Sequence, residues 1–207
     1  MSPTKQAFTN SDVKILERRE CHRRFLRIDL LKLEHRRFEG GWIGPLEREL
    51  MLRRPAVGVL LFDPDRDEVV LVRQFRVGVL GEKDSPWLLE LVAGMLEEGE
   101  SEAEVAERES QEEANLKPLA LERICEYYCS PGTTNEKITL FCGHVDSSNA
   151  GGIFGLDGEH EDIEVVTLSF DEAVDALAKG EIDNAMTIVA IQWLMLNKPR
   201  LVARWAR

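Results

Sequence analysis

A short acidic stretch has residue types and spacing that could do chemistry. Glu112 and Glu113 lie three and four positions after Glu109, so in a helix the three side chains are neighbours, with Cβ atoms about 5–6 Å apart. Like charges at that separation repel each other, and a hard divalent cation with oxygen ligands is the simplest group that reverses the repulsion. The spacing therefore predicts a metal site. The alternative, that these glutamates form only a solvated acidic face, stays open.

Local signals at both ends define the helix that carries these glutamates. Ser101 followed by Glu104 is a capping box, which begins a helix. Asn115 tolerates the left-handed conformation in which helices end. A stripe of small side chains, predicted to pack on a sheet, consists of Ala103, Ala106, Ser110 and Ala114. We therefore expect the three glutamates to lie on the opposite, exposed face.

Apolar patterns elsewhere predict the elements that position this helix. Two apolar runs, 56–62 and 69–75, are joined by turn residues and form a hairpin. Residues 86–93 are predicted to form one strand that ends at Gly94. Further strands are expected at 121–128, 137–145 and 163–168, and further helices at 169–180 and 185–196. Strands interleaved with three helices predict an α+β fold in which a mixed β-sheet is sandwiched between helices.

The first fifty residues differ from the rest of the chain in their strand pattern and in their charge. An alternating apolar pattern at 23–34, a turn at Gly40 and Gly41 and an extended piece at 47–52 predict a small N-terminal antiparallel β-sheet. Residues 11–54 carry twelve Lys and Arg against eight Asp and Glu, whereas the whole chain has a net charge of −12. We therefore expect two domains, 1–52 and 53–207. The small sheet must pack on the main domain or on a second subunit to be stable.

Composition argues against several classes of protein. The net charge of −12 repels nucleic acid and anionic membranes, and the arginines of residues 11–54 are interleaved with acids. No apolar run approaches the roughly 18 residues that span a bilayer, and residues 1–14 lack the apolar core of a signal peptide. The four cysteines match no zinc pattern. We expect a cytoplasmic protein without nucleic-acid or membrane partners.

The stretch from Gly94 to Leu116 resembles the Nudix box, Gly-x5-Glu-x7-Arg-Glu-U-x-Glu-Glu-x-Gly-U, in which U is apolar. The matching positions are Gly94, Glu100, Arg108, Glu109, Glu112, Glu113 and Leu116. Ser110 and Asn115 depart from the pattern, because they replace an apolar residue and a glycine. A serine can satisfy its hydroxyl on the carbonyl four residues earlier, so the departures put stability in question more than chemistry.

The resemblance extends to the bacterial ADP-ribose pyrophosphatase subgroup of Nudix hydrolases over about residues 21–196. It includes segments 74–76, 86–90, 93–94, 130–133, 159–162 and 180–185, with Pro131 fifteen residues beyond the box. The resemblance implies the Nudix fold and Mg²⁺-dependent hydrolysis of ADP-ribose to AMP and ribose 5-phosphate. Two alternatives are hydrolysis of another nucleotide sugar or dinucleotide, such as GDP-mannose, and a Nudix-fold ligand-binding protein without catalysis.

The resemblance also implies a set of site residues. Expected metal ligands, for more than one Mg²⁺ or Mn²⁺ per subunit, are the Ala93 carbonyl and the carboxylates of Glu109, Glu113 and Glu161. Expected catalytic residues are Glu159, as general base, and Glu112, which orients the metal ligands. Gly94, Glu100 and Arg108 are expected to be structural. Expected substrate-binding residues are Phe25, Arg48, Arg76, Met95, Pro131 and Glu136. The resemblance finally implies a homodimer in which the N-terminal sheets exchange between subunits.

Overall fold

The computed structural model describes residues 8–156, 158 and 160–206. Eleven strands and three α-helices form in this part of the chain, beside short 3₁₀ helices at Asn10–Asp12 and Val77–Val79. The strands are β1 (Val13–Arg23), β2 (Arg27–Arg36), β3 (Trp42–Leu52), β4 (Ala56–Asp63), β5 (Glu68–Phe75), β6 (Trp87–Glu90), β7 (Val92–Met95), β8 (Ala120–Tyr128), β9 (Lys137–His144), β10 (Gly152–Phe154) and β11 (Ile163–Ser169). The helices are α1 (Glu102–Ala114), α2 (Phe170–Lys179) and α3 (Ala185–Trp205). None of the described helices has the length and apolar character needed to cross a bilayer.

The chain divides into two compact units. The first contains residues 8–54 and 128–136, and the second contains residues 55–127 and 137–206. Segment 128–136 joins the first unit through hydrogen bonds that no sequence pattern indicates. The Met51 N–H donates to the Thr133 carbonyl at 2.8 Å, and the Arg53 N–H donates to the Asn135 side-chain oxygen at 2.8 Å.

The first unit contains the predicted antiparallel sheet, with strand order β1-β2-β3. The predicted strand at 23–34 is displaced, because a turn at 24–26 separates β1 from β2. Asp29 on β2 is buried, and its carboxylate accepts from Arg18 Nε at 2.5 Å and from Arg27 Nε at 2.9 Å. The hydrogen bond from Arg27 and the nearby Arg18 hold the pKa of Asp29 below its usual value. The ion pair between Arg18 and Asp29 links β1 to β2.

The second unit contains one sheet of eight strands, in which β10-β11-β5-β4-β9-β8 form a continuous order. Strand β4 pairs antiparallel with β5 and parallel with β9, so the predicted mixed sheet is confirmed. The expected hairpin of 56–62 and 69–75 is β4 and β5. Strand β10 has only three residues, which is too short for an alternating pattern to indicate it.

The predicted single strand at 86–93 is wrong, because the chain changes sheet partners at Leu91. Strand β6 pairs with β5, and β7 pairs with β4. Leu91 lies between the two strands, and its buried backbone N–H donates to Thr187 Oγ1 on α3 at 3.1 Å. A side chain from a helix therefore satisfies a backbone group that the change of partner removes from the sheet.

Helices cover both faces of this sheet, as predicted. One face packs on α1 and includes Val57, Val59, Val70, Val72, Val105 and Ala106. The other face packs on α2 and α3 and includes Leu60, Phe62, Leu71, Ala173, Ile191 and Leu194. The predicted end of the last helix at 196 is wrong, because α3 continues through Pro199 to Trp205. Burial of Leu201 and Trp205 offsets the backbone hydrogen bond that Pro199 cannot donate.

Replacing Thr187 by Val is expected to lower the free energy of unfolding by about 1–3 kcal/mol. The change keeps the shape of a fully buried side chain but leaves the Leu91 N–H unpaired, and it also removes the hydrogen bond from the Thr187 hydroxyl to Asn184 Oδ1, the N-cap of α3. Chemical denaturation followed by circular dichroism measures the loss.

Thr139→Val is the matched control for this prediction. Thr139 is also buried, but its hydroxyl donates to Glu102 Oε1 at 2.8 Å, and that carboxylate is partly exposed and can be hydrated. We expect the control to lose less than about 1 kcal/mol. Equal losses for the two variants would show that the Leu91 N–H does not depend on Thr187.

Candidate active site

Both predicted ends of α1 are confirmed. The Ser101 hydroxyl accepts from the Glu104 N–H, and the Glu104 carboxylate accepts from the Ser101 N–H at 2.8 Å. Asn115 ends the helix with φ 52°, in the left-handed region. Ser110 is fully buried, and its hydroxyl donates to the Ala106 carbonyl at 2.6 Å. Both departures from the Nudix pattern therefore have a local structural solution.

The prediction that all three glutamates lie on an exposed face is wrong, because Glu113 is buried and the Glu109 side chain is only 13% accessible. The buried residues of α1 are Val105, Ala106, Ser110, Glu113 and Ala114, whereas Ala103 is exposed. Val105 packs on the sheet in place of Ala103, and the same rotation of the helix turns Glu113 inwards. Only 3% of Glu113 is accessible to solvent, so its carboxylate is removed from water.

The buried Glu113 carboxylate lies beside β7 and other acids. Its Oε2 accepts a hydrogen bond from the Ala93 N–H at 3.0 Å. Burial raises the pKa of Glu113 to about 8, with the charges of Glu109 and Glu161 acting in the same direction and the Ala93 N–H and Arg76 acting against them. A buried carboxylate is stable as an anion only with a compensating charge. The surroundings of Glu113 therefore favour either a proton or a cation.

Glu109 packs directly against the backbone of Gly94. A Cβ atom at Gly94 would lie 1.6 Å from Glu109 Oε1, so any residue other than glycine would force this carboxylate to leave its position. Burial raises the pKa of Glu109, and the charges of Glu112 and Glu161 act in the same direction, against Arg108. The glycine that begins the motif thus makes room for a carboxylate that the helix supplies.

Arg108 connects the acidic residues of the motif. Its Nε and Nη2 donate to the two carboxylate oxygens of Glu100 at 2.9 and 3.1 Å. Its Nη1 donates to Glu109 at 2.7 Å and to Glu112 at 3.2 Å. A planar guanidinium with two parallel bonds to one carboxylate fixes its own orientation. Arg108 is therefore placed to hold Glu109 and Glu112, and the structural and orienting roles of Arg108, Glu100 and Glu112 stay predictions.

Glu161 reaches the same region from the segment before β11. A Cβ atom at Gly155 would lie 2.7 Å from the Glu161 Cβ, and Gly155 has φ +110°. Glu161 Oε2 accepts from the Leu156 N–H at 3.3 Å. The charge of Glu161 acts on both Glu109 and Glu113, so the three predicted carboxylate ligands face one region. Glu159, the predicted general base, lies outside the described residues.

The carboxylates are held by protein groups rather than gathered at ligand distances. Within residues 8–156, 158 and 160–206, no three His, Cys, Asp or Glu side chains are close enough together to hold a metal. Glu109 is bonded to Arg108, and Glu113 to the Ala93 N–H. The donor set nevertheless fits a hard divalent cation, because it is all oxygen and includes a buried anion with little compensation.

Arg76 is a cation placed beside the acids. Its Nε donates to Glu90 Oε2 at 2.6 Å, and its charge acts on Glu113. The Arg76 side chain is 41% accessible to solvent, so it can also contact a ligand. Met95, the other predicted substrate contact in this unit, ends β7 opposite Ala56. Both positions are compatible with the binding roles predicted for them.

The remaining predicted substrate contacts lie in the first unit. Phe25 is 82% exposed, and the guanidinium carbon of Arg53 lies 5.4 Å from its ring centroid. Arg53 Nε also donates to Glu136 Oε1 at 3.2 Å. Arg48 Nη1 donates to the Glu47 carbonyl at 2.7 Å, and Pro131 is exposed in a turn.

Sequence reasoning missed Arg53. This arginine brings Phe25 and Glu136 together, although Glu136 lies 83 positions away from it along the chain. No local pattern marks such a residue, because the contact depends on how segment 128–136 joins the N-terminal sheet.

Comparison with known proteins gives consistent results. The NUDIX domain model matches residues 52–189. The ADP-ribose pyrophosphatase of Escherichia coli (strain K12) is 42% identical over 199 residues, which cover 96% of this chain and 95% of that protein. The GDP-mannose pyrophosphatase of Cronobacter sakazakii (strain ATCC BAA-894) is 37% identical over 156 residues, covering 73% of this chain and 78% of that protein. The crystal structure of an ADP compounds hydrolase has a TM-score of 0.72 and 20% identity, covering 91% of this chain and 96% of that one.

Gly94→Ala is expected to weaken Mn²⁺ binding about 10- to 100-fold. The added methyl group overlaps Glu109 Oε1, so the carboxylate must leave its position. Titration of free Mn²⁺ by electron paramagnetic resonance measures the affinity.

Gly78→Ala is the control for this change. A Cβ atom at Gly78 meets nothing within 4 Å, and its φ is not in the left-handed region. This variant should bind Mn²⁺ as the wild type does. Wild-type affinity in Gly94→Ala would remove Glu109 from the set of ligands.

Proposed function

The chain belongs to the NUDIX domain family, and we propose that it hydrolyses the pyrophosphate of ADP-ribose to AMP and ribose 5-phosphate with Mg²⁺. One observation carries the proposal: the carboxylate of Glu113 is buried, with Glu109 and Glu161 facing it and Arg76 nearby. This combination of anions and a cation suits a metal-bound pyrophosphate. The 42% identity to an ADP-ribose pyrophosphatase over nearly the full length of both proteins supports the choice of substrate.

The proposed metal ligands are the Ala93 carbonyl, Glu109, Glu113 and Glu161. These groups would hold more than one Mg²⁺ per subunit, replaceable by Mn²⁺, and the bound cations would neutralise the charge of the pyrophosphate and lower the pKa of a water molecule. Arg108 keeps Glu109 and Glu112 oriented through its bonds to both. The role of general base remains assigned to Glu159.

The proposed substrate-binding residues include arginines, which supply positive charge, and an aromatic residue, which supplies a stacking surface. Arg76 and Arg48 supply positive charge for phosphate or ribose oxygens, which a protein with a net charge of −12 must provide locally. Phe25 offers an exposed ring on which an adenine can stack. Met95, Pro131 and Glu136 complete the proposed set.

We also propose a homodimer that exchanges its N-terminal sheets and works in the cytoplasm. Every residue of β1 is exposed, and the strand carries Val13, Ile15 and Leu16, which are 41%, 58% and 51% accessible. Apolar area of this kind suits burial against a second copy of the chain. The four cysteines are free thiols, which suits a reducing compartment.

GDP-mannose is a second candidate substrate, because a GDP-mannose pyrophosphatase is 37% identical over 156 residues. A single panel separates the candidates: ADP-ribose, GDP-mannose, NADH and a diadenosine polyphosphate, each with Mg²⁺ and with products resolved by chromatography. We expect the highest kcat/KM for ADP-ribose, with AMP and ribose 5-phosphate as products. Cleavage of no compound would contradict the assignment as an enzyme.

Glu113→Gln is expected to lower Mg²⁺-dependent turnover of ADP-ribose at least about 100-fold. The variant keeps an oxygen that accepts from the Ala93 N–H but loses the buried charge, so we expect it to fold. Thermal unfolding checks the fold, and chromatography of AMP checks the turnover.

Glu107→Gln provides the comparison, since it makes the same change of charge at an exposed position of the same helix. Its turnover should equal that of the wild type. Unchanged turnover in a folded Glu113→Gln protein would remove Glu113 from the metal site.

A further inference from the structure

Gln74 is a buried polar side chain near the end of β5 that the proposed function leaves without a role. It is 7% exposed, and within the described part of the chain its Nε2 has no hydrogen-bond partner. An unpaired buried amide destabilises a protein by about 1–3 kcal/mol, whereas an apolar side chain of the same shape does not. A buried polar group without a partner therefore requires an explanation.

The position of Gln74 places it on the side of the sheet that carries the acids. Alternation along β5 puts Gln74 on the same face as Val72, which packs in the core beneath α1 with Val105. Helix α1 supplies Glu109 and Glu113. Gln74 is thus on the α1 side of the sheet.

The neighbouring strand connects Gln74 to Arg76. Leu88 on β6 lies opposite Gln74, and Glu90 lies opposite Val72, so all four side chains share one face. Glu90 Oε2 in turn accepts a hydrogen bond from Arg76 Nε at 2.6 Å. The Gln74 amide is therefore a close neighbour of the ion pair that presents Arg76.

We propose that Gln74 is a specificity-determining residue whose carboxamide hydrogen-bonds a hydroxyl group of the sugar on the far side of the pyrophosphate from the nucleoside. This inference rests on the proposed function. A carboxamide donates and accepts, as a hydroxyl does, whereas phosphate oxygens only accept. In the proposed site, Arg76 and the bound cations would contact the phosphate oxygens. Rotation of the amide by 180° exchanges its oxygen and nitrogen, so either atom can meet the ligand.

Thr167 on β11 offers a matched comparison. Its Oγ1 is also buried and without a hydrogen-bond partner among the described residues. Thr167 pairs with Val70, four residues before Gln74, which corresponds to about 13 Å along a strand. Like Gln74, Thr167 has a buried polar atom without a hydrogen-bond partner among the described residues, but it lies away from Arg76.

The test compares ADP-ribose with the methyl ester of ADP, which keeps the pyrophosphate and lacks the terminal sugar. Gln74→Met should lower kcat/KM for ADP-ribose about tenfold and change kcat/KM for the methyl ester less than about twofold. Its thermal stability should equal or exceed that of the wild type, because an unpaired amide is removed. Thr167→Val should leave both kinetic constants unchanged.

Three outcomes overturn the assignment of Gln74 while leaving the proposed function intact. Equal losses for both substrates would assign the amide to the pyrophosphate. A fall in stability would assign it to a hydrogen bond within the fold. If the wild type cleaves ADP-ribose and Gln74→Met has the same kcat/KM for it, the amide does not contact the substrate. A wild-type protein that cleaves neither compound overturns the proposed function and this assignment together.

Discussion

The Glu113 carboxylate lies between α1 and β7, where within the described chain one hydrogen bond, from the Ala93 N–H at 3.0 Å, replaces its contacts with water. Removal of an anion from water is unfavourable unless an opposite charge compensates it. Here the neighbouring charges are mainly acidic, and the pKa of Glu113 rises to about 8. A divalent cation at this place would resolve the conflict, because it would supply the missing charge to several carboxylates at once. The proposed metal site thus accounts for the burial of an anion that the fold's own stability does not explain.

Other features of the second unit follow from holding that carboxylate in place. The break at Leu91 ends one strand pairing and begins another, which brings Ala93 and Gly94 to the edge of α1. Gly94 leaves room for Glu109, and Arg108 restrains Glu109 from the other side. These features position the site at a cost in local stability. The buried Leu91 N–H depends on a helix side chain, and Gly94 stands where residues that favour strands would be more stable. Such compromises are typical of sites built for ligands.

Local chemistry made part of this architecture predictable. Helix α1 begins and ends where its caps indicate, because capping depends on residues three or four positions apart. The motif's carboxylates were found in the same way. The burial of Glu113, the break at Leu91 and the contact of Arg53 with Phe25 were not predicted, since each depends on residues distant in sequence. The extension of α3 to Trp205 was missed for the same reason.

We propose that Glu109, Glu113 and Glu161 hold a divalent cation with the Ala93 carbonyl. Anomalous diffraction from crystals soaked in Mn²⁺, collected at the manganese absorption edge, tests this metal site most directly. We expect at least one strong peak about 2.1 Å from oxygens of Glu113 and Glu109, with Glu113 turned away from the Ala93 N–H towards the ion. Fully soaked crystals with no anomalous peak at these carboxylates, or with peaks only elsewhere on the protein, would contradict it.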